Sequence, residues 1–309
     1  MPAKVAVVGE AVIDRFLEPN GARDVIGGSP LNTAVALRRA GVECDWWGRM
    51  STGTEGEALA AYAEDNSVGG NRVLRTDEPA TLVTIELNAA GVPSYGFHLD
   101  GASDWGWTTD ELSGLKECSV IQIGSLATVM EPGSSALLET LSALAALENP
   151  PLISFDPNAR PKAAKNSDDG QRMRNRVEQF VSLSNFIKVS DEDLEWLHPN
   201  SDPLNSAAQW SLEGPELVIM TRGSEGAVAF RHGAVVASTP GLRVNVVDTV
   251  GAGDTFMAWL LRCIVEEHNL QVPTDAADIA HMMSEAAHAA AITCSRKGCN
   301  PPLRAEVLS

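Results

Sequence analysis

An α/β fold, with a mainly parallel sheet covered by helices, is predicted by two observations. Short apolar runs alternate with amphipathic stretches along most of the 309 residues, the pattern of strands buried on both faces and joined through helices. The length also suits one large α/β domain carrying an insertion, or two modest domains.

Taken in order, Val5–Val8 reads as the first buried strand, cut short by Gly9-Glu10 and too brief for a signal-peptide core or a spanning helix. Gly27-Gly28 then leads into a helix near Leu31–Ala40, with Ser29 expected as N-cap and Pro30 at the first helical position. The runs Val120–Ile123, Leu152–Phe155, Phe186–Val189, Leu217–Met220 and Ala227–Phe230 are further strands, and Leu137–Leu147 is an amphipathic stretch. Phe256–Val265 reads as a buried helix, and Lys162–Gln171 is polar enough to predict a mobile loop.

Two segments depart from this pattern. Val12–Ile26, and Thr81–Leu99 with alternating Leu82, Thr84, Glu86 and then Val92, Ser94, Gly96, predict antiparallel strands outside the main sheet. Asn88–Gly91 is the expected hairpin turn of the second. Such a β-structure inserted twice into an α/β core makes a flap that keeps water from a cleft; the alternative is a peripheral sheet edge.

Composition removes several function classes. A formal charge of −18 opposes nucleic acid and anionic membrane as partners, so any anionic ligand needs a local site. The five cysteines are scattered without paired metal-ligand spacing, which fits reduced thiols in a cytoplasm.

The most informative stretch is Val247-Asp248-Thr249-Val250-Gly251-Ala252-Gly253-Asp254-Thr255-Phe256. Gly251 and Gly253 let successive amides converge on an anion where a loop becomes a helix, whose N-terminus adds unpaired N–H groups and a positive dipole end. A carboxylate there needs a task, and accepting the proton of an attacking hydroxyl is one. Asp254 is therefore the candidate base, and Gly251, Ala252, Gly253 and Asp254 the candidate anion hole.

Together with five other motifs, this stretch resembles the ribokinase-like (PfkB) sugar kinases, and the fructokinase branch most of all. The others are Gly9-Glu10-Ala11-Val12-Ile13-Asp14, Gly27-Gly28-Ser29-Pro30-Leu31-Asn32, Phe155-Asp156-Pro157-Asn158-Ala159-Arg160, Lys188-Val189-Ser190-Asp191-Glu192-Asp193 and Thr221-Arg222-Gly223-Ser224-Glu225-Gly226. Six in family order, spanning nearly the whole chain, are specific where one alone is weak. The resemblance implies a three-layer α/β/α core in a single domain, with a small β-sheet lid from segments at approximately 11–26 and 77–107. It implies ATP-dependent phosphorylation of a small sugar's primary hydroxyl, with Mg²⁺ as cofactor.

Residue by residue, the resemblance implies sugar contacts from Asp14, Asn32 and Arg160, the last alternatively pairing with Asp156, and a hinge at Gly27-Gly28. It implies nucleotide contacts from Lys188, Ser190, Thr221, Gly223, Gly226 and Gly253, with the alanine-rich helix Ala286–Ala291 against the adenine. Asp193, shorter than the glutamate usual there, is implied to meet Mg²⁺ through water. Asp248 is implied in a monovalent cation site, where Pro301-Pro302 replaces an oxygen-donating residue of some relatives, which leaves dependence on K⁺ open. Ser51-Thr52-Gly53-Thr54 replaces the glycine–aspartate pair usual ahead of Gly56, and Tyr95 and Phe97 are candidates to cover the sugar ring. A homodimer through the lid would resemble some relatives.

The nearest rival is a kinase of 2-keto-3-deoxygluconate or another sugar acid, with a nucleoside kinase further off. From a different class comes a non-catalytic sugar or nucleotide sensor, against which the full set of Asp14, Asn32, Arg160 and Asp254 argues. Gly9-Glu10-Ala11 lacks the further glycines of a dinucleotide loop, and there is no Gly-x-x-x-x-Gly-Lys-Ser/Thr sequence.

Overall fold

The structure, a computed structural model, describes residues 4–18, 21–87 and 93–308. In chain order its strands are β1 (Val5–Val8), β2 (Val12–Glu18), β3 (Gly21–Gly27), β4 (Cys44–Trp47), β5 (Arg49–Ser51), β6 (Leu74–Thr76), β7 (Thr81–Leu87) and β8 (Pro93–His98). They continue with β9 (Val120–Gly124), β10 (Leu152–Asp156), β11 (Phe186–Ser190), β12 (Leu217–Thr221), β13 (Ala227–Arg231) and β14 (Ala234–Thr239). The helices are α1 (Ser29–Arg39), α2 (Thr54–Asp65), α3 (Thr109–Leu112), α4 (Gly133–Ala145), α5 (Ser167–Leu183), α6 (Asp191–Leu197), α7 (Pro203–Trp210), α8 (Ala252–Glu266), α9 (Ala276–Cys294) and α10 (Arg304–Val307).

Eight strands form the main sheet in the order β14-β13-β12-β11-β10-β9-β1-β4. Pairing is parallel from β4 to β12 and antiparallel at the β12–β13–β14 edge. The reversal follows from chain length, because the five residues between Thr221 and Ala227 can close a hairpin but cannot carry a crossover. Alternation along the strands feeds two cores: Val5 and Val7 pack on the face covered by α1, α8 and α9, and Ala6 and Val8 on the face covered by α4, α5 and α7.

A second sheet, in the order β3-β2-β7-β8, shares no ladder with the first among the described residues. Its β2–β3 and β7–β8 pairs are antiparallel hairpins as the alternation predicts, while the central β2–β7 pair is parallel. The expected turn Asn88–Gly91 lies outside the described residues.

Two local expectations are corrected. Ser29 is not the N-cap of α1; Gly28 holds that place with φ 105° and no side-chain cap, and Ser29 begins the helix. A Cβ at Gly28 would lie 2.6 Å from the Glu10 carbonyl oxygen, so the chain must be bare where it passes over the end of β1. The Ser29 hydroxyl is drawn away to a partner described below. Lys162–Gln171 is mostly ordered structure rather than a mobile loop: Asn166 caps α5 by accepting the Asp169 N–H at 2.9 Å, and the polar residues are the exposed first turns of an amphipathic helix.

Phe155, at the centre of the sheet, is fully buried against Phe180, their ring centroids 5.9 Å apart. Phe155→Ala is expected to cost about 3–5 kcal/mol, read from the urea midpoint at constant m-value; a loss below about 1 kcal/mol would contradict this packing.

Candidate active site

The carboxyl ends of the parallel strands gather the polar residues, as expected of an open α/β sheet. Two helices from opposite ends of the chain meet there. The N-terminus of α8 abuts that of α1, and Asp254, in the first turn of α8 and 7% exposed, receives two polar side chains from the start of α1. Ser29 Oγ donates to Asp254 Oδ1 at 2.6 Å, and Asn32 Nδ2 donates to Oδ2 at 2.8 Å. Each carboxylate oxygen keeps a further lone pair, so the group is oriented without being exhausted as an acceptor.

Gly251 precedes α8 in a left-handed conformation with φ 77°, and a Cβ there would overlap the Cys299 thiol. Only glycine meets both conditions. Ala252 N–H closes the turn onto the Thr249 carbonyl at 3.2 Å, whereas the N–H groups of Gly253 and Asp254 find no acceptor among the described residues. The candidate anion hole thus loses Ala252 and keeps Gly251, Gly253 and Asp254, the Gly251 N–H likewise having no acceptor among the described residues, with the helix dipole behind them.

Beneath this turn lies a buried ion pair. Lys188 Nζ on β11 donates to Asp156 Oδ2 on β10 at 2.8 Å, and both side chains are at most 5% exposed. Burial disfavours the Lys188 ammonium, but the Asp156, Asp193 and Asp254 carboxylates outweigh it and its pKa is raised. A Cβ on Gly253 would come within 3.1 Å of that Nζ, so a fixed positive charge underlies the amides.

Two cavities flank Asp254. The first, about 700 Å³, is lined by Asp14, Gly27, Gly28, Asn32 and Arg160, by Tyr95 and Phe97 of the second sheet, and by Gly251, Gly253 and Asp254. The second, about 370 Å³ and largely apolar, is lined by Thr221, Gly223 and Gly226, by Ala252 and Gly253, and by Ala287, Ala290 and Ala291 of α9. They share Thr249 and Gly253. A ligand in each would meet at the start of α8.

Other expected residues stand differently. Lys188, Ser190, Asp193 and Asp248 line neither cavity. Ser190 caps α6, its hydroxyl accepting the Asp193 N–H at 3.0 Å. Asp193 accepts the N–H groups of Ala159 at 2.8 Å and Ser190 at 3.3 Å, which ties the loop after β10 to α6. Asp248 accepts from Val250 N and Gly298 N at 3.1 and 2.9 Å, joining the loops around α8 and α9. Both carboxylates keep lone pairs for a hydrated ion. Arg160 bonds not to Asp156 but to its own loop, donating to Asn158 Oδ1 at 2.6 Å. Its charge still reaches Asp14, whose carboxyl burial raises and Arg160 lowers, with burial dominant.

Three features escaped the sequence reading. Glu10, fully buried in the wall of the first cavity, accepts the Ala127 N–H at 3.1 Å, and burial pushes its carboxyl up to about 7. Ser125 and Asn158, both in that wall, adopt left-handed φ of 54° and 38°, strain of a kind concentrated at functional sites. Asp104, buried between the ends of the second sheet, accepts the Ala11 N–H and the Thr81 hydroxyl. The position of Glu10 beside a strand end was the available signal; φ values and Asp104's partners have no sequence signature.

No helix among the described residues is long and apolar enough to cross a membrane. Residues 2–306 match the family described as pfkB family carbohydrate kinase. A fructokinase of Rhizobium leguminosarum bv. trifolii is 33% identical over 259 residues, covering 82% of this chain and 77% of its own. Among solved structures, fructokinase of Xylella fastidiosa with bound ATP superposes with a TM-score of 0.86 at 22% identity, over 100% of this chain and 98% of its own. Fructokinase of Vibrio cholerae O395 in its fructose, ADP and calcium ion bound form gives 0.80 at 23% identity, over 96% and 94%. With the family's motif residues gathered at one end of the sheet and the match running along almost the entire length, the chain belongs to the pfkB carbohydrate kinases.

Proposed function

We propose that this kinase transfers the γ-phosphoryl group of ATP to a primary hydroxyl of fructose, with Asp254 as general base. The observation that carries the reading is the meeting of two cavities at Gly253, with Asp254 at the junction. The relative named fructokinase, at 33% identity, supports the choice of sugar.

On this reading the first cavity holds the sugar, with Asp14 accepting hydroxyl hydrogen bonds, and the second holds the nucleotide, with adenine against the alanines of α9. Gly253 and Asp254 N–H groups face the charge that grows on the transferred phosphoryl group, supported by the Lys188 ammonium below. Asp254, held by Ser29 and Asn32, accepts the proton of the attacking hydroxyl. Because a carboxylate is a weak base toward an alcohol, proton transfer comes late and positioning does most of the catalysis. Bound Mg²⁺ supplies charge neutralisation on the phosphates, and Asp193 would hold it through water. Asp248 is the residue that would hold K⁺. The second sheet, from the segments around 11–26 and 77–107, serves as lid of a single domain, closing over the sugar about Gly27-Gly28.

The reading places the enzyme in a cytoplasm, in keeping with its five free cysteines. It leaves the lid's edge strands β3 and β8 free to pair in a homodimer, and the −18 charge keeps nucleic acid and anionic membrane out of the partner list. One observation favours a second substrate: Arg160 and Lys162 both line the sugar cavity, a charge pair suited to a sugar acid such as 2-keto-3-deoxygluconate.

Asp254→Asn is expected to lower kcat by about 10²–10⁴-fold while ATP binding, measured by calorimetry, persists; near-normal turnover would remove Asp254 as base. A coupled assay across fructose, ribose, 2-keto-3-deoxygluconate and inosine, with and without K⁺, should give the highest kcat/KM for fructose. Preference for the sugar acid would transfer the assignment to the Arg160–Lys162 reading.

A further inference from the structure

The second sheet joins the core at four points: Ala11 before β2, Gly27-Gly28 after β3, Thr81 at the start of β7, and the short 3₁₀ turn Ser103–Trp105 after β8. Three of the four converge on one side chain. Asp104, 2% exposed, accepts the Ala11 N–H on Oδ1 at 3.0 Å and the Thr81 hydroxyl on Oδ2 at 2.6 Å. Ala11 and Thr81 are themselves fully buried. The fourth crossing rests on the same knot, since Gly28 packs with no room for a Cβ against Glu10 and Ala11.

The placement is specific to the sheet's central pair. The β2–β7 ladder begins with Val12 opposite Thr81, and Asp14 lies opposite Val83 two positions further. Asp104 thus clamps the base of the ladder that carries Asp14. Its turn is also held from outside the sheet, because Arg49 Nε on β5 donates to the Ser103 carbonyl at 2.9 Å, and Ser103 N–H donates at 2.8 Å to the Pro79 carbonyl just ahead of β7. Burial pushes the Asp104 carboxyl up to about 6, and the donors it collects from both strand roots offset that cost at neutral pH. Nothing in phosphoryl transfer itself uses this group.

We propose that Asp104 is a positioning residue: it locks the roots of the four-stranded sheet so that Asp14 meets the sugar in one place. This rests on the reading of that sheet as the sugar-side lid, so the test has one arm that does not depend on any substrate. In hydrogen exchange of the unliganded protein, Asp104→Ala should speed exchange in peptides of β2 and β7 by about tenfold or more while β9 and β10 peptides keep their rates. Unchanged exchange in β2 and β7, or equal acceleration everywhere, overturns the anchoring.

The second arm is kinetic. Asp104→Ala should raise the KM for fructose by about tenfold and leave the KM for ATP within about twofold. Asp104→Asn, whose amide oxygen still accepts from Ala11 and whose NH₂ can donate to Thr81, should restore both. Thr81→Val, which keeps the shape and removes one donor, should move the fructose KM in the same direction by less, and it serves where the alanine variant does not fold. Fructose and ATP KM values that rise together, or a fructose KM that does not move, contradict the proposal. If the unmodified protein phosphorylates no fructose, the functional reading falls while the exchange arm still decides the anchoring.

Discussion

The contact on which the site depends is the one between the first turns of α1 and α8, closed by two hydrogen bonds to Asp254. It joins residues more than 220 positions apart. Ser29 and Asn32 fix the orientation of a carboxylate that sits in the first turn of α8, beside the acceptor-free Gly253 and Asp254 N–H groups.

Around that contact the charges are layered. Lys188 is held ionised by surrounding carboxylates, beneath amides that carry only partial charges. Asp14 and Glu10 face the other cavity with carboxyls that burial makes less acidic, which suits groups that exchange hydrogen bonds with neutral hydroxyls better than groups that repel an anion. A chain whose formal charge is −18 can thus concentrate its positive potential at one turn, where a family of phosphoryl-transfer enzymes needs it.

Much of this was legible in the sequence because it is local. Val5–Val8, Leu152–Phe155 and Leu217–Met220 are short, largely apolar runs that read as buried strands, and each is a strand of the main sheet. Gly251 and Gly253 predicted a tight turn where a loop becomes a helix, and Gly251 takes the left-handed conformation at the start of α8. What escaped is tertiary. Ser29 looks like an N-cap until its hydroxyl finds Asp254, and a polar stretch such as Lys162–Gln171 looks mobile until an Asn cap and a buried helix face are seen. Lys188 and Ser190 carry the right motif, yet their side chains go to Asp156 and to the α6 cap, partners supplied by the neighbouring strand β10 and by the helix that follows. Asp104 gave no signal, since its partners lie in segments brought together only by the second sheet.

Those layers explain why the second sheet matters to chemistry that occurs on the first. Tyr95 and Phe97 line the first cavity from β8, which pairs along β7, the strand rooted at Thr81, so a displacement at that root becomes a displacement of the cavity wall. The central claim is that the Gly253 and Asp254 amides and the Asp254 carboxylate face the two reacting groups together. A crystal structure with fructose and a non-hydrolysable ATP analogue tests it most directly. The account predicts γ-phosphate oxygens on those two N–H groups and a sugar hydroxyl about 2.6–3.2 Å from the Asp254 carboxylate; a γ-phosphate bound elsewhere, or Asp254 turned from the sugar, would contradict it.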